Sequence, residues 1–451
     1  MPIVNDIISK KNVFLCQIET GGDKMYQILS IRVDGYRNIS NTIVRLAEPI
    51  TVLLAPNNYG KTNFLLAIEF AVDLIGHGPE RQSEIIKANK YTSHNKISAP
   101  ENKKEKPPFL FEIEFVADGK NITYAFQILP SAGVLTESLM VGDIVIFERN
   151  RKTDLMGEKY ETIEMNDANA SIGLHNLLIS QLSDRNIEAT EYADVIRKLF
   201  NSMRNMFCNR ESPLGNYKND EKRNLVNISD RILKLFNKDK NLYFKFKNVF
   251  LGLFKGQIEN FIMYDVRDRS KVVFPEFPIG YESNELEIDF ESPEYRPEDY
   301  RIEFNSYGKL IPELFTDLST GTQDIFLVFL EIFDKYRKPI LVIEEIENGI
   351  HPSLYQNVLS ALYKECDEKR ALITTHSPAV ARHFTSSFAS FYIGIPNRNG
   401  FASFAALDEY KKDEIARTAK LHSVSMGELI IDMLSESDRS SEKLKGWLRG
   451  H

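Results

Sequence analysis

Residues Pro49 to Ile75, PITVLLAPNNYGKTNFLLAIEFAVDLI, constrain what this chain can fold into more than any other stretch. Ile50 to Leu54 is a short continuous apolar run rich in β-branched residues, the pattern of a strand buried on both faces of a sheet. Phe64, Leu65, Ile68, Val72 and Ile75 then follow helical spacing until Gly76 and Pro79 stop the helix. Between strand and helix lies Ala55-Pro-Asn57-Asn58-Tyr59-Gly60-Lys61-Thr62. A loop ending in Gly-Lys-Thr at a helix N-terminus suits a triphosphate, because backbone N–H groups and the positive end of the helix dipole face the anion. In such a loop Lys61 reaches the β and γ phosphates and the Thr62 hydroxyl ligates Mg2+.

The loop departs from the usual G-x-x-x-x-G-K-S/T pattern at its first position, which is Ala55. Alanine fits there if φ is negative and strains the loop if φ is positive. The competing reading is an ordinary strand-to-helix turn that carries Gly-Lys-Thr.

Three later stretches bear on that choice. Leu318-Ser319-Thr-Gly321-Thr-Gln323 opens a helix whose apolar face includes Phe326, Val328, Phe329 and Ile332. Pro339 to Asn348, PILVIEEIEN, reads as a second buried strand ending in carboxylates, and Ala371 to Pro378, ALITTHSP, as a third ending on His376. Read separately, Glu344, Glu345 and Glu347 also fit a solvated strand end, His376 a capping or core histidine, and Ser319 a plain N-cap.

In this order the four stretches resemble the ATP-binding-cassette (ABC) type of P-loop ATPase. The likeness is to its SMC, RecF and overcoming-lysogenisation-defect (OLD) branch, in which an insertion separates the two lobes of the cassette. The resemblance implies an α/β fold: an ABC-type ATPase head with a mixed sheet, a flanking antiparallel β lobe and a helical insertion. It implies ATP as ligand and Mg2+ as cofactor. Glu344 occupies the Walker B metal-ligand position, normally Asp, beside Thr62; Glu345 matches the residue that orients or deprotonates the attacking water; His376 matches the switch histidine at the γ-phosphate. Ser319 and Gly321 match the signature motif, which completes the nucleotide site of an opposing subunit. Asn348 to Pro352 matches the loop along that interface. Arg37 and Asn38, in Gly35-Tyr-Arg-Asn, match a segment near the nucleotide, although a surface arginine reads the same way. Phosphoryl transfer needs charge neutralisation and an aligned water more than covalent chemistry, and these residue types supply both.

Composition sets bounds. A chain of 451 residues exceeds one average domain. The expected division is an N-terminal ATPase lobe over 1–155, a helical insertion over 156–265 and a C-terminal ATPase lobe over 266–451. A net charge of −8 argues against a surface that grips nucleic acid throughout. Cys16, Cys208 and Cys366 lie far apart without metal or redox spacing, as expected of buried thiols in a reducing cytoplasm. The greasiest stretch, Ile325 to Phe333, is interrupted by Glu331, so neither a membrane span nor a signal peptide is expected.

Strands are predicted at Tyr26 to Val33 and Thr42 to Leu46, then at Phe109 to Phe115, Ile122 to Ile128, Val134 to Val141 and Asp143 to Phe147. Met1 to Lys24 reads as a loose arm or appended strand, and Arg81 to Pro108 as a polar loop. Ser171 to Asn260 turns helical. Between Arg197 and Lys255, 14 Lys and Arg stand against 5 Asp and Glu, interleaved with Phe200, Phe207, Tyr217, Phe236, Tyr243, Phe244, Phe246, Phe250 and Phe254. That mixture fits phosphate contacts and base stacking, or an ordinary helical insertion with a wet lysine face and a phenylalanine core, and the second is favoured. Glu282 to Glu303 holds nine carboxylates and two arginines and reads as an exposed loop. Further along come a strand at Tyr300 to Asn305, another at Phe391 to Ile395, amphipathic helix over Lys412 to Leu434 and a polar tail from Ser435 to His451.

No Toprim pattern of a glutamate and a later Asp-x-Asp follows His376, and no zinc or HNH nuclease spacing is present. The resemblance is then to ATPase subunits of anti-phage systems of the PARIS and Septu types, which act as sensor or scaffold for a separate effector such as a nuclease. That implies a homodimer or larger homo-oligomer closed by nucleotide. The alternatives are a RecF-like DNA-repair ATPase loading on DNA through the basic insertion, and a nucleotide-gated scaffold with little turnover.

Overall fold

The computed structural model describes residues 26–87, 108–129, 132–153, 159–165, 176–180, 187–204, 206–208, 225–272, 292, 295–309, 311–334, 339–348, 350–366, 370–383, 389–396, 401–407 and 409–435. The first arm, the acidic loop up to residue 291, Tyr217, Cys16 and the tail beyond residue 435 lie outside them.

In chain order, β1 (Tyr26–Asp34), β2 (Thr42–Arg45) and β3 (Ile50–Leu54) lead into α1 (Lys61–Gly76) and α2 (Pro79–Lys87). Next come β4 (Phe109–Ala117), β5 (Lys120–Leu129), β6 (Gly133–Val141), β7 (Ile144–Thr153) and β8 (Lys159–Met165). Three helices follow, α3 (Ile187–Met203), α4 (Leu225–Lys238) and α5 (Lys240–Leu253), then β9 (Ile258–Asp265), β10 (Asp268–Val272), β11 (Tyr300–Ser306) and β12 (Glu313–Leu314). The last part holds α6 (Thr320–Phe333), β13 (Ile340–Ile343), α7 (Tyr355–Glu365), β14 (Arg370–Thr375), α8 (Pro378–His383), β15 (Ala389–Pro396), β16 (Ala402–Ala406), α9 (Glu409–Leu421) and α10 (Met426–Ser435).

These elements form the α/β architecture the sequence predicts. The central sheet has the order β13-β14-β3-β15-β16, its first four strands parallel and β16 antiparallel at one edge. The order β2-β1-β4-β5-β6-β7-β8 makes an antiparallel seven-stranded sheet, and β10-β9-β11-β12 a smaller one. Each central strand feeds two cores: Ile50, Val52 and Leu54 pack on one side with α4 to α8, and Leu53 and Ala55 on the other with α1, α3 and the seven-stranded sheet. Burial on both faces is why β3 is apolar throughout. Helix α1 lies between the two sheets and is buried almost all round, and Arg204 at the end of α3 donates to the Gly76 carbonyl at its C-terminus.

Several local expectations are corrected. Pro79–Lys87 is helical rather than the start of a loop, with proline in the first turn where its missing N–H is not needed. The helical run ends at Leu253, and Ile258 opens a strand, because Gly256 at φ +81 turns the chain. Strand β13 has four residues, and Glu344 to Asn348 form a turn beyond it. The exposed edge of β13 is covered by Met206 to Cys208, whose backbone exchanges two hydrogen bonds with Val342 (2.9 Å each).

The basic, aromatic-rich segment resolves toward core. Phe200, Phe207, Phe236, Tyr243, Phe246, Phe250 and Phe254 are buried, and Phe246 and Phe250 pack edge-on against Phe326 of α6 at 5.1 and 4.9 Å between centroids. Those rings are unavailable for stacking bases. Basic groups are also used internally: Arg231 meets Glu331 at 3.0 Å, Lys245 meets Glu365 at 2.5 Å, and Lys247 is buried over the Phe261 ring.

Candidate functional site

Strands β3, β14 and β13 are parallel neighbours in that order, so their C-terminal ends lie on one edge of the sheet. Open α/β sheets bind ligands at that edge. Here it carries an open cleft of about 540 Å³ lined by Asn57, Asn58, Gly60, Lys61, Thr62, Asn63, Glu345 and His376. Residues up to 319 positions apart, Asn57 and His376, therefore share one pocket.

The loop from β3 to α1 is shaped by two left-handed residues, Asn58 (φ +67) and Gly60 (φ +84). Asparagine tolerates that region. Gly60 is required on two counts, because a Cβ there would also lie 2.7 Å from Ile39 Cδ1. Helix α1 has no side-chain cap and no acidic residue in its first turn, which leaves its N-terminal N–H groups and dipole available to an anion. The Lys61 ammonium donates to the carbonyls of Ala55 (2.6 Å) and Pro56 (3.0 Å). Burial pushes its pKa below the usual lysine value, opposed by the charges of Glu345 and Glu347.

Ala55 causes no strain. It is absent from the positive-φ residues and is fully buried, with its methyl group against β15. The neighbour there is Gly394, where a Cβ would come within 2.6 Å of Ala55 Cβ and 3.2 Å of the Phe404 ring. The missing glycine of the loop is thus compensated by a glycine on the adjacent strand. Gly394→Ala is expected to destabilise the fold by about 1–3 kcal/mol, the usual range for overpacking, and Ala55→Gly in the same chain should restore much of it. Thermal melts of the two single variants and the double check this; an uncoupled pair would contradict it.

Thr62 and Glu344 meet directly, the hydroxyl donating to Glu344 Oε1 at 2.6 Å. Glu344 is 8% exposed. A hydroxyl and a carboxylate side by side suit Mg2+, which takes oxygen ligands and is held by one or two protein groups together with substrate phosphates and water. No cluster of three or more His, Cys, Asp or Glu that could hold a metal occurs among the described residues. The Thr62 hydroxyl and the Glu344 carboxylate are two oxygens that fit a metal shared with a phosphate.

Glu345 has φ +46, a conformation that a non-glycine residue adopts only when its surroundings impose it. Its N–H donates to Thr374 Oγ1 (2.9 Å), and Asn348 Nδ2 donates to its Oε2 (2.7 Å). His376 Nδ1 lies 3.8 Å from Glu345 Oε1. Arg37, also left-handed at φ +49, donates to Asn63 Oδ1 (3.1 Å), and Asn63 donates to Asn38 Oδ1 (2.7 Å). Arg37 and Asn38 therefore reach the cleft through Asn63, a residue that sequence reasoning did not single out. Thr374 and Gly394 were missed as well.

Other candidates fall elsewhere. Tyr59 does not line the cleft; it is partly buried and packs against both cores. Ser319 is exposed and caps α6, its Oγ accepting from the Thr322 N–H (3.3 Å), while Gly321 is buried in the first turn. Neither lines the cleft of its own chain. His351 is exposed in the loop after β13. No described helix is long and apolar enough to cross a membrane.

A Gly-Lys-Thr loop on the middle of a parallel sheet, with carboxylates and a histidine on neighbouring strand ends, is the arrangement of a P-loop ATPase fold of the ABC type. The chain belongs to the family described as "AAA domain, putative AbiEii toxin, Type IV TA system", whose model matches residues 50–382. No curated protein matches it. Among solved structures it is similar to the SMC head domain from Thermotoga maritima (12% identity, TM-score 0.42, covering 85% of this chain and 99% of that one). It is also similar to an Smc head bound to the C-terminal winged-helix domain of ScpA (12%, TM-score 0.47, 86% and 99%). A third is an Smc head with an extended coiled coil bound to the C-terminal domain of ScpA, derived from Pyrococcus furiosus (11%, TM-score 0.44, 88% and 100%).

Proposed function

We propose that this chain binds ATP with Mg2+, hydrolyses it to ADP and phosphate, and uses the cycle to open and close pairs of heads. The observation that carries the reading is the convergence of Lys61, Thr62, Glu345 and His376 on one cleft, with Glu344 bonded to Thr62 behind it. Lys61 and the N-terminus of α1 hold the phosphates. Thr62 and Glu344 would hold Mg2+, which supplies charge neutralisation on the phosphate oxygens. Glu345 orients or deprotonates the attacking water, and His376 supports the terminal phosphate. Asn57, Asn58, Tyr59 and Gly60 shape the loop, Ala55 anchors it, and Arg37 and Asn38 border it.

Exposure of Ser319 at the N-terminus of α6, away from its own cleft, supports a role for Ser319 and Gly321 in completing the site of a second copy. Light scattering of the purified chain, with and without a non-hydrolysable ATP analogue and Mg2+, tests the pairing. A doubled mass with nucleotide is expected, and an unchanged mass contradicts it. We further propose that the paired heads act as sensor or scaffold for a separate effector, a nuclease, in bacterial anti-phage defence in the cytoplasm, a reading that rests on the motif resemblance. The division into lobes at 1–155 and 266–451 around a helical insertion at 156–265 belongs to the same proposal.

A further inference from the structure

Glu347 has no task in the scheme above, yet its side chain is 7% exposed beside His376. Oε1 accepts the backbone N–H of His376 at 2.8 Å and lies 3.0 Å from the ring Nδ1. Oε2 is buried with no hydrogen-bond partner among the described residues. A buried carboxylate with half its acceptor capacity unused is unfavourable and calls for a reason.

The reason lies in what Glu347 joins. Glu344 to Asn348 form the turn after β13, and His376 and Ser377 follow β14, so the two halves of the candidate hydrolytic apparatus sit beyond separate strands. Three hydrogen bonds tie the turn to β14 and to the residue that follows it. Glu345 N–H donates to Thr374 Oγ1, Ile346 N–H donates to the Thr374 carbonyl (3.3 Å), and His376 N–H donates to Glu347. The first two fix the backbone that carries Glu345. Only the third reaches His376, whose imidazole is 36% exposed and has no hydrogen bond from its Nδ1. Of the two carboxylates beside the ring, Glu347 at 3.0 Å lies nearer than Glu345 at 3.8 Å.

We propose that Glu347 is the positioning residue of the site: its carboxylate holds His376 against the turn that bears Glu345, so that both side chains face the Lys61 cleft in one register. This rests on the ATPase reading above. Glu347 itself touches neither substrate nor the attacking water.

The test is steady-state hydrolysis of Mg·ATP by the full chain and its Glu347→Ala, Glu347→Gln, His376→Ala and Glu347→Ala/His376→Ala variants. Glu347→Ala should lower kcat by between about tenfold and 100-fold, the range for a misplaced group, while KM stays within about threefold. Glu347→Gln keeps an oxygen that accepts the His376 N–H and should be faster than Glu347→Ala. The double variant should be no slower than His376→Ala alone, because both changes remove the same contribution. An unchanged kcat in Glu347→Ala, a Gln variant no better than Ala, or losses that multiply in the double variant would overturn the proposal. If Glu347→Ala does not fold, the Glu347→Gln and Glu347→Gln/His376→Ala pair decides it by the same multiplication. A wild-type chain without turnover would sink the ATPase reading and this inference together, whereas an active wild type with multiplying losses sinks this inference alone.

Discussion

Lys61→Ala is expected to abolish nucleotide binding, raising the Kd for Mg·ATP at least about 100-fold, or about 2.7 kcal/mol. Lys61 is 5% exposed and its ammonium is fixed by the Ala55 and Pro56 carbonyls, so it stands ready at the head of the loop. Its loss removes a positive charge from a low-dielectric site, where charged hydrogen bonds are the strong ones. It also leaves those two carbonyls without the donor, a change of about 1–3 kcal/mol in stability. Calorimetric titration with Mg·ATP, read beside a melting curve, separates the two effects. A folded variant that binds normally would remove Lys61 from the site.

Glu345→Gln is expected to leave binding within about threefold of wild type and to reduce turnover between about 100-fold and 10,000-fold, the range for removing a positioned acid–base group. The substitution is isosteric. Its amide oxygen can still accept from Asn348 Nδ2, and the backbone stays at φ +46 because Thr374 and Asn348 hold it there. Binding and hydrolysis are thereby separated, and the nucleotide-closed pair of heads should accumulate. Gel filtration with ATP and Mg2+ should show the dimer persisting in Glu345→Gln and decaying in wild type. A variant that stays monomeric while binding ATP would contradict the pairing.

Much of this was readable because the informative signals are local. The apolar run Ile50 to Leu54 and the spacing after Lys61 correspond to β3 and α1, and the alternating segments after Phe109 to β4 through β7. Glu344 and His376 were legible because each directly follows a buried strand, where a polar residue needs a purpose, and Glu345 because it comes next after Glu344. What escaped depends on partners distant in sequence. Gly394 matters only because Ala55 approaches it across the sheet, and Asn63 only because Arg37 and Asn38 fold onto the same helix start. Glu347 looked like one more member of an acidic strand end until its contact with His376 distinguished it. Position within the loop does not say which way the Tyr59 side chain turns, and it packs against the cores. The phenylalanines of the basic segment carried two meanings in sequence, and burial selected one.

Phosphate release from saturating Mg·ATP, measured side by side for the wild-type chain, Lys61→Ala and Glu345→Gln, tests most directly whether the cleft hydrolyses ATP. Steady release by the wild type and near-background release by both variants is the predicted result. Equal, undiminished release by all three would place the chemistry elsewhere or nowhere in this chain.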